Sequence, residues 1–154
     1  MTIGRLKLQA ETPSTAFFGN GDVLKAARRL AERHGLQVSG RPFCGKGCRG
    51  SGNICLESGD SAEAKDAQWR QLTTEFARAD TALVCHMWNH YCMFYACREW
   101  AERGEDGSVT VVRQVLSAKP GQRPTRWFDW ADLRKMMLGW VGYKILAFKI
   151  EKAA

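Results

Sequence analysis

The stretch from Thr81 to Cys97, "TALVCHMWNHYCMFYAC", constrains this chain more than any other: it carries no charged side chain and is rich in aromatic and branched residues. It is shorter than the roughly 20 residues that a membrane-spanning helix needs. Its composition favours buried strands over a helix. Trp88-Asn89 is the natural break between two of them, because Asn tolerates turn conformations. With a period of two, His90, Cys92, Phe94 and Ala96 then share one face of the second strand, and Asn89, Tyr91, Met93 and Tyr95 share the other.

The flanking segments supply the partners for such strands. "NGDVLKAARRLAERHG" predicts an amphipathic helix, capped by Asn20 or Asp22 and stopped by Gly35, with Val23, Leu24, Ala27, Leu30 and Ala31 on one stripe. "LQV" begins a short strand, and the Gly- and Ser-rich "SGRPFCGKGCRGSGNICLESGD" reads as a loop. A second helix starts at Ser61 and aligns Trp69, Leu72 and Phe76. "RGEDG" is a turn that folds Val109–Leu116 back on Tyr91–Trp100 as a hairpin. After the loop "AKPGQRPTR", a short helix capped by Asp129 and closed by Gly139 leads into a last strand, "YKILAFKI". Helix, strand, loop, helix, three strands, helix and strand together predict an α+β domain with a mainly antiparallel sheet. The domain is expected over residues 20–152, with 1–19 as an N-terminal extension.

Composition sets the class. Hydrophobic residues make up 45% of 154, with six Trp and seven Phe, enough for a packed core and too many for a disordered chain. The opening "MTIGRLKLQAETP" lacks the apolar run of a signal peptide, so the expected location is the cytoplasm and the six cysteines are expected as thiols. Nine Lys and Arg fall from Arg113 onward against Asp129, Asp132 and Glu151, within a net charge of +7. Arginines beside tryptophans in "KPGQRPTRWFDW" would suit a nucleic acid, and the plainer reading is a solvated surface with Trp127 and Trp130 packing the last helix on the sheet.

Two constellations carry chemistry. His90, at the start of a strand and next to Asn89, is placed to act as general base for a thiol or hydroxyl, or simply to hydrogen-bond within the sheet. Cys44 and Cys48 are four apart, as are His86 and His90, which makes up a tetrahedral zinc set if 84–97 were helical. Of the remaining thiols, Cys85, Cys92 and Cys97 suit a core, and Cys55 has no assigned role.

The stretch "ALVCHMWNHYCMFYA" resembles the histidine region of papain-like cysteine peptidases, most of all the bacteriocin-processing (double-glycine leader) peptidases, in which a His-Tyr pair opens the strand bearing the catalytic histidine. "LAERHGLQV" before it and "GWVGYKILAF" after it are similar to that family's flanks, so the resemblance spans roughly residues 20 to 150. It implies a papain-like fold, His90 as general base, Asn89 shaping the link, and a peptide or protein as substrate or partner. The family's nucleophilic cysteine stands upstream of the histidine at the N-terminus of a buried helix. Here Cys44, before Gly45, is the first cysteine and lies in a Gly-rich segment. The third group, usually an Asp, is replaced in the matching loop by "SAKPGQRP", where Gln122 or the later Asp129 would stand in. Either Cys44 is the nucleophile, or the chain is the histidine-bearing, C-terminal half of a peptidase that keeps the fold without the chemistry.

Overall fold

The computed structural model describes residues 19–88, 90–118 and 121–151. Its elements are α1 (Asn20–Arg33), β1 (Gln37–Lys46), β2 (Ile54–Leu56), α2 (Ala62–Phe76), β3 (Thr81–Met87), β4 (His90–Arg103), β5 (Val109–Ser117), β6 (Arg126–Asp129), α3 (Trp130–Gly139) and β7 (Lys144–Glu151). The strands form one seven-stranded sheet in the order β2-β1-β7-β3-β4-β5-β6. Every neighbouring pair is antiparallel except β1 and β2, so the expected α+β class with a mainly antiparallel sheet is what the chain adopts.

Alternation along the strands divides the core into two layers. Leu83, Cys85 and Met87 of β3, with Ile145 and Ala147 of β7, join Trp69 and Leu72 of α2 and Trp130, Leu133 and Met137 of α3 in one cluster. The intervening Leu146 and Phe148 point the other way, toward α1, and are also buried. A strand covered on both faces has no need of polar alternation, which is why "KILAF" is a continuous apolar run.

Local signals behave as expected where the chain decides locally. The Ser61 hydroxyl accepts from the Ala64 N–H at 3.2 Å and starts α2, and Gly35 takes a φ of 66° after α1. The break between β3 and β4 falls at Trp88, as expected, and β4 pairs with β5 as the predicted hairpin. Four expectations are corrected. Gly19, not Asn20 or Asp22, is the N-cap of α1; Asn20 is its first residue, and the Asp22 carboxylate accepts from the Gly19 N–H. The stripe turns so that Ala26 and Ala31 are the buried positions and Leu30 is 46% exposed. Much of the presumed loop after "LQV" is strand: β1 continues through Pro42 to Lys46, and β2 follows. Pro42 is tolerated because β2 pairs only with Cys44–Lys46, leaving the earlier part of β1 without a neighbour on that side, and a register shift lies at Pro42/Cys44. Finally, Arg126–Asp129 forms β6 within what reads as a loop; Asp129 stands at the N-cap of α3 as expected, but its carboxylate accepts from Gln114 at 2.8 Å and makes no cap bond to the helix.

The layer under α1 closes on a glycine. A Cβ placed on Gly40 of β1 would lie 2.7 Å from Leu24 Cδ2 of α1 and 2.9 Å from Phe148 Cδ1 of β7. Gly40→Ala is therefore expected to destabilise the fold by about 1–3 kcal/mol, the usual cost of overpacking. A urea titration that left the midpoint unchanged would show that α1 has room to move away from the sheet.

Candidate functional site

Antiparallel pairing brings the β3–β4 link, the end of β5, the start of α1 and the link between α3 and β7 to one end of the sheet. The β3–β4 connection is tight: Trp88 holds a φ of 42°, a left-handed conformation that costs a residue with a Cβ about 1–3 kcal/mol. Its indole is left 55% exposed beside the histidine strand.

His90 opens β4 and is exposed. It lines a cleft of about 240 Å³ with Met87, Trp88, Cys92, Ser117 and Phe128. Cys92, two residues along the same face, is the thiol that shares this wall. Its S–H points inward, to the Cys85 carbonyl at 3.6 Å, and burial pushes its pKa up despite a hydrogen bond with Ser117.

Cys44 is elsewhere. Its row across the sheet runs Cys44–Ile145–Cys85–Cys92, so β7 and β3 lie between it and the strand of His90. Three strand spacings amount to about 14 Å, far beyond the reach of proton transfer. The side chain is fully buried, and burial, with the Cys48 thiol next in effect, pushes its pKa well above the ordinary value. A Cys44–His90 pair is not assembled. Gln122 is exposed in the β5–β6 link, Asp129 is engaged by Gln114, and Asn89 lies outside the described residues.

The zinc set is not brought together either. Cys85 shares the helix α2–α3 face with Cys44, so the adjacent His86 points to the opposite face. His90, next to Tyr91 on β4, faces away from His86, which stacks on Tyr91 at 4.4 Å. The i, i+4 geometry required a helix, and the residues are strands. Among the described residues, no group of three or more His, Cys, Asp and Glu side chains is placed to hold a metal ion. No helix among them is long and apolar enough to cross a membrane. Four of the nine basic C-terminal residues are engaged: Arg134 with Asp60, Arg113 with Asp66 and Glu99, Lys144 with the Lys46 carbonyl, and Lys149 with Asp80 and Glu151. Trp130 is buried against Trp69, and Trp127 lies beneath the Arg98 guanidinium at 3.9 Å.

A connected group at this end centres on His86, which the sequence offered only as a zinc ligand. His86, 7% exposed, places Nδ1 3.0 Å from the Gly142 carbonyl. A carbonyl only accepts, so the proton sits on Nδ1 and Nε2 keeps a lone pair. Asn20, the first residue of α1, donates its amide to the same carbonyl at 2.8 Å and accepts from the Tyr91 hydroxyl at 3.0 Å. Trp140 and Tyr143 stand edge-on to the imidazole at 5.9 and 5.6 Å. Burial raises the Tyr91 hydroxyl to about 12, with Asp22 adding to the effect. A helix start and a tautomer-fixed histidine thus meet on one oxygen. The sequence offered the cluster's members separately, His86 as a zinc ligand, Asn20 as a helix cap and the glycine of "GWVGYKILAF" in a family-like link, and that glycine supplies the oxygen.

No protein-family model, curated protein or solved structure matches this chain.

Burial lowers the pKa of His86, and the bond to Gly142 offsets this only in part. The unfolded chain therefore binds a proton more readily, and stability present above about pH 6.5 is lost as pH falls through the lower folded value. His86→Gln, which retains a donor for Gly142, is expected to flatten the loss between pH 7.5 and 5. Urea midpoints that fall equally in both proteins would show that His86 is not held neutral.

Proposed function

We propose that this chain is a papain-like domain without a working nucleophile, which acts by binding a peptide or protein segment rather than by cleaving it. The observation that carries this reading is the meeting of α1 with the histidine cluster: Asn20 and His86 lie within two hydrogen bonds of each other through the Gly142 carbonyl. In the peptidases that the sequence resembles, the nucleophilic thiol occupies a helix start facing the histidine. Here that place holds a carboxamide, which is neither nucleophilic nor ionisable. The histidine in question is His86 rather than His90, because His90 faces the other side of the sheet.

The two fully buried thiols support the absence of hydrolysis. Cys44 and Cys85 are fully buried, and burial raises the pKa of both, so neither supplies thiolate at neutral pH. What this end of the sheet does present is apolar surface: Trp88, Trp140 and Val141 are 55%, 49% and 56% exposed around the cluster. Aromatic rings with exposed faces, flanked by backbone and by Arg126 in the neighbouring cleft, suit an extended peptide with bulky side chains.

Asn20→Cys tests the reading directly. A thiol there would sit at a helix N-terminus beside an imidazole, both of which favour thiolate. It is expected to alkylate with iodoacetamide at pH 7 about tenfold faster than a thiol placed in an exposed turn by Ser58→Cys, and to lose that advantage when His86→Gln is added. The wild type is expected to hydrolyse no peptide. If the thiol introduced by Asn20→Cys reacts no faster than the one introduced by Ser58→Cys, the peptidase-like geometry is removed, and peptide hydrolysis by the wild type would remove the claim of silence.

A further inference from the structure

The cleft beside His90 lies where the sheet is incomplete. β5 pairs with β4 only as far as Ser117, opposite Phe94, so His90 and Cys92 project past its last pairing, and Arg126 of β6 stands opposite the same Ser117. We infer that this cleft binds the C-terminal residue of a peptide, with the apolar side chain inside it and the carboxylate on Arg126 and His90. The inference rests on the peptide-binding reading above for the kind of partner, though not for the pocket.

The walls set what can enter. Trp88, Cys92 and Phe128 give apolar surface to a space of about 240 Å³. A cavity of about 150 Å³ holds a benzene ring, so this one takes a single aromatic or branched side chain and not a longer stretch of peptide. Two polar groups of the wall are used internally: the Cys92 thiol donates to the Cys85 carbonyl at 3.6 Å, and the Ser117 hydroxyl donates to the Met93 carbonyl at 2.9 Å. Trp88 keeps its indole 55% exposed on a backbone φ of 42°, a strain that glycine in this turn would avoid.

The rim supplies donors. No acidic side chain is among the described residues that line the cleft. The Arg126 guanidinium lies over the Phe128 ring, 4.6 Å from its centroid, and makes no hydrogen bond or ion pair with a described residue. Its fork of N–H groups is therefore free to hold both oxygens of a carboxylate. His90, exposed and likewise without a described partner, offers a ring N–H in either protonation state. Either group alone would be a solvated surface side chain. Beside an apolar cleft the two match a residue that carries both charge and apolar bulk. Within a peptide only the last residue does so: an internal Asp or Glu has the charge without the bulk, and an internal aromatic residue has the ring without the charge. Trp88 borders both this cleft and the apolar surface around the histidine cluster, which gives the preceding residues their path.

The test follows the Trp88 indole N–H by NMR, assigned by its disappearance in Trp88→Phe. The wild type is titrated with acetylated glycyl-glycyl-phenylalanine bearing a free C-terminal carboxylate, and with the same peptide as its C-terminal amide. The acid is expected to shift the resonance saturably, with half-saturation at ~1 mM or below, and the amide to need about tenfold more. Arg126→Gln, at an exposed position, is expected to raise the half-saturation of the acid about tenfold and to leave that of the amide unchanged. An amide that binds as tightly as the acid would overturn the inference while leaving peptide binding itself in place. No shift with either peptide by ~20 mM would overturn it as well, as would Arg126→Gln with the affinity of the acid intact. A saturating acid, together with a sluggish thiol introduced by Asn20→Cys, would uphold the carboxylate site and remove only the peptidase-like geometry.

Discussion

The sheet is held together through β7. Gln37–Gly45 of β1 and Thr81–Cys85 of β3 both pair with it, and no register joins β1 to β3 directly. Without this last strand the sheet would divide into β1 with β2 and a meander of β3 to β6, joined only through the helices packed on them. Ile145 and Ala147 close the layer under α2 and α3, and Leu146 and Phe148 close the layer under α1. One eight-residue strand therefore contributes to both cores, and the residues that begin it, Trp140 to Tyr143, build the wall of the histidine cluster. Stability and site depend on the same insertion, which pairs β1 with a strand about a hundred residues further along the chain, so that the sheet closes only once β7 has joined it.

What could be read from the sequence was what short-range chemistry decides. The division at Trp88, the Ser61 cap and the turn before Val109 each depend on a few neighbouring side chains, and each stands where expected. β1 was obscured because glycine and proline argue for a loop wherever the partner strand is unknown. Pro42 and Gly40 are compatible with a strand only because β2 is short and α1 comes close. β6 was hidden for a similar reason: its four residues gain their conformation from β5, not from their own preferences.

The histidines show the same limit more sharply. Alternation correctly separates His90 and Cys92 from Tyr91, but it cannot say which face meets a helix start. That assignment comes from α1 crossing the sheet, and it transfers interest from His90 to His86. A sequence resemblance aligned on His-Tyr leads to the exposed ring, whereas the geometry selects the ring whose tautomer is fixed by a carbonyl. The distinction matters chemically, since a histidine with an assigned proton and a free lone pair has a defined role, and an exposed one has to acquire it from a partner.

The cysteines then look less like vestiges of catalysis than like core residues chosen for size. Cys44, Cys85 and Cys92 occupy one row across β1, β3 and β4, with Ile145 of β7 completing it. Strands about 4.8 Å apart leave little volume between side chains in such a row, and a thiol fills it with almost no polar demand. Cys92 meets what demand it has at the Cys85 carbonyl. Burial that makes these thiols good packing also raises their pKa values, so the property that stabilises the sheet is the one that withholds a nucleophile. Any chemistry at the sheet end would have to come from a group placed at its rim, and the rim position at the start of α1 carries Asn20.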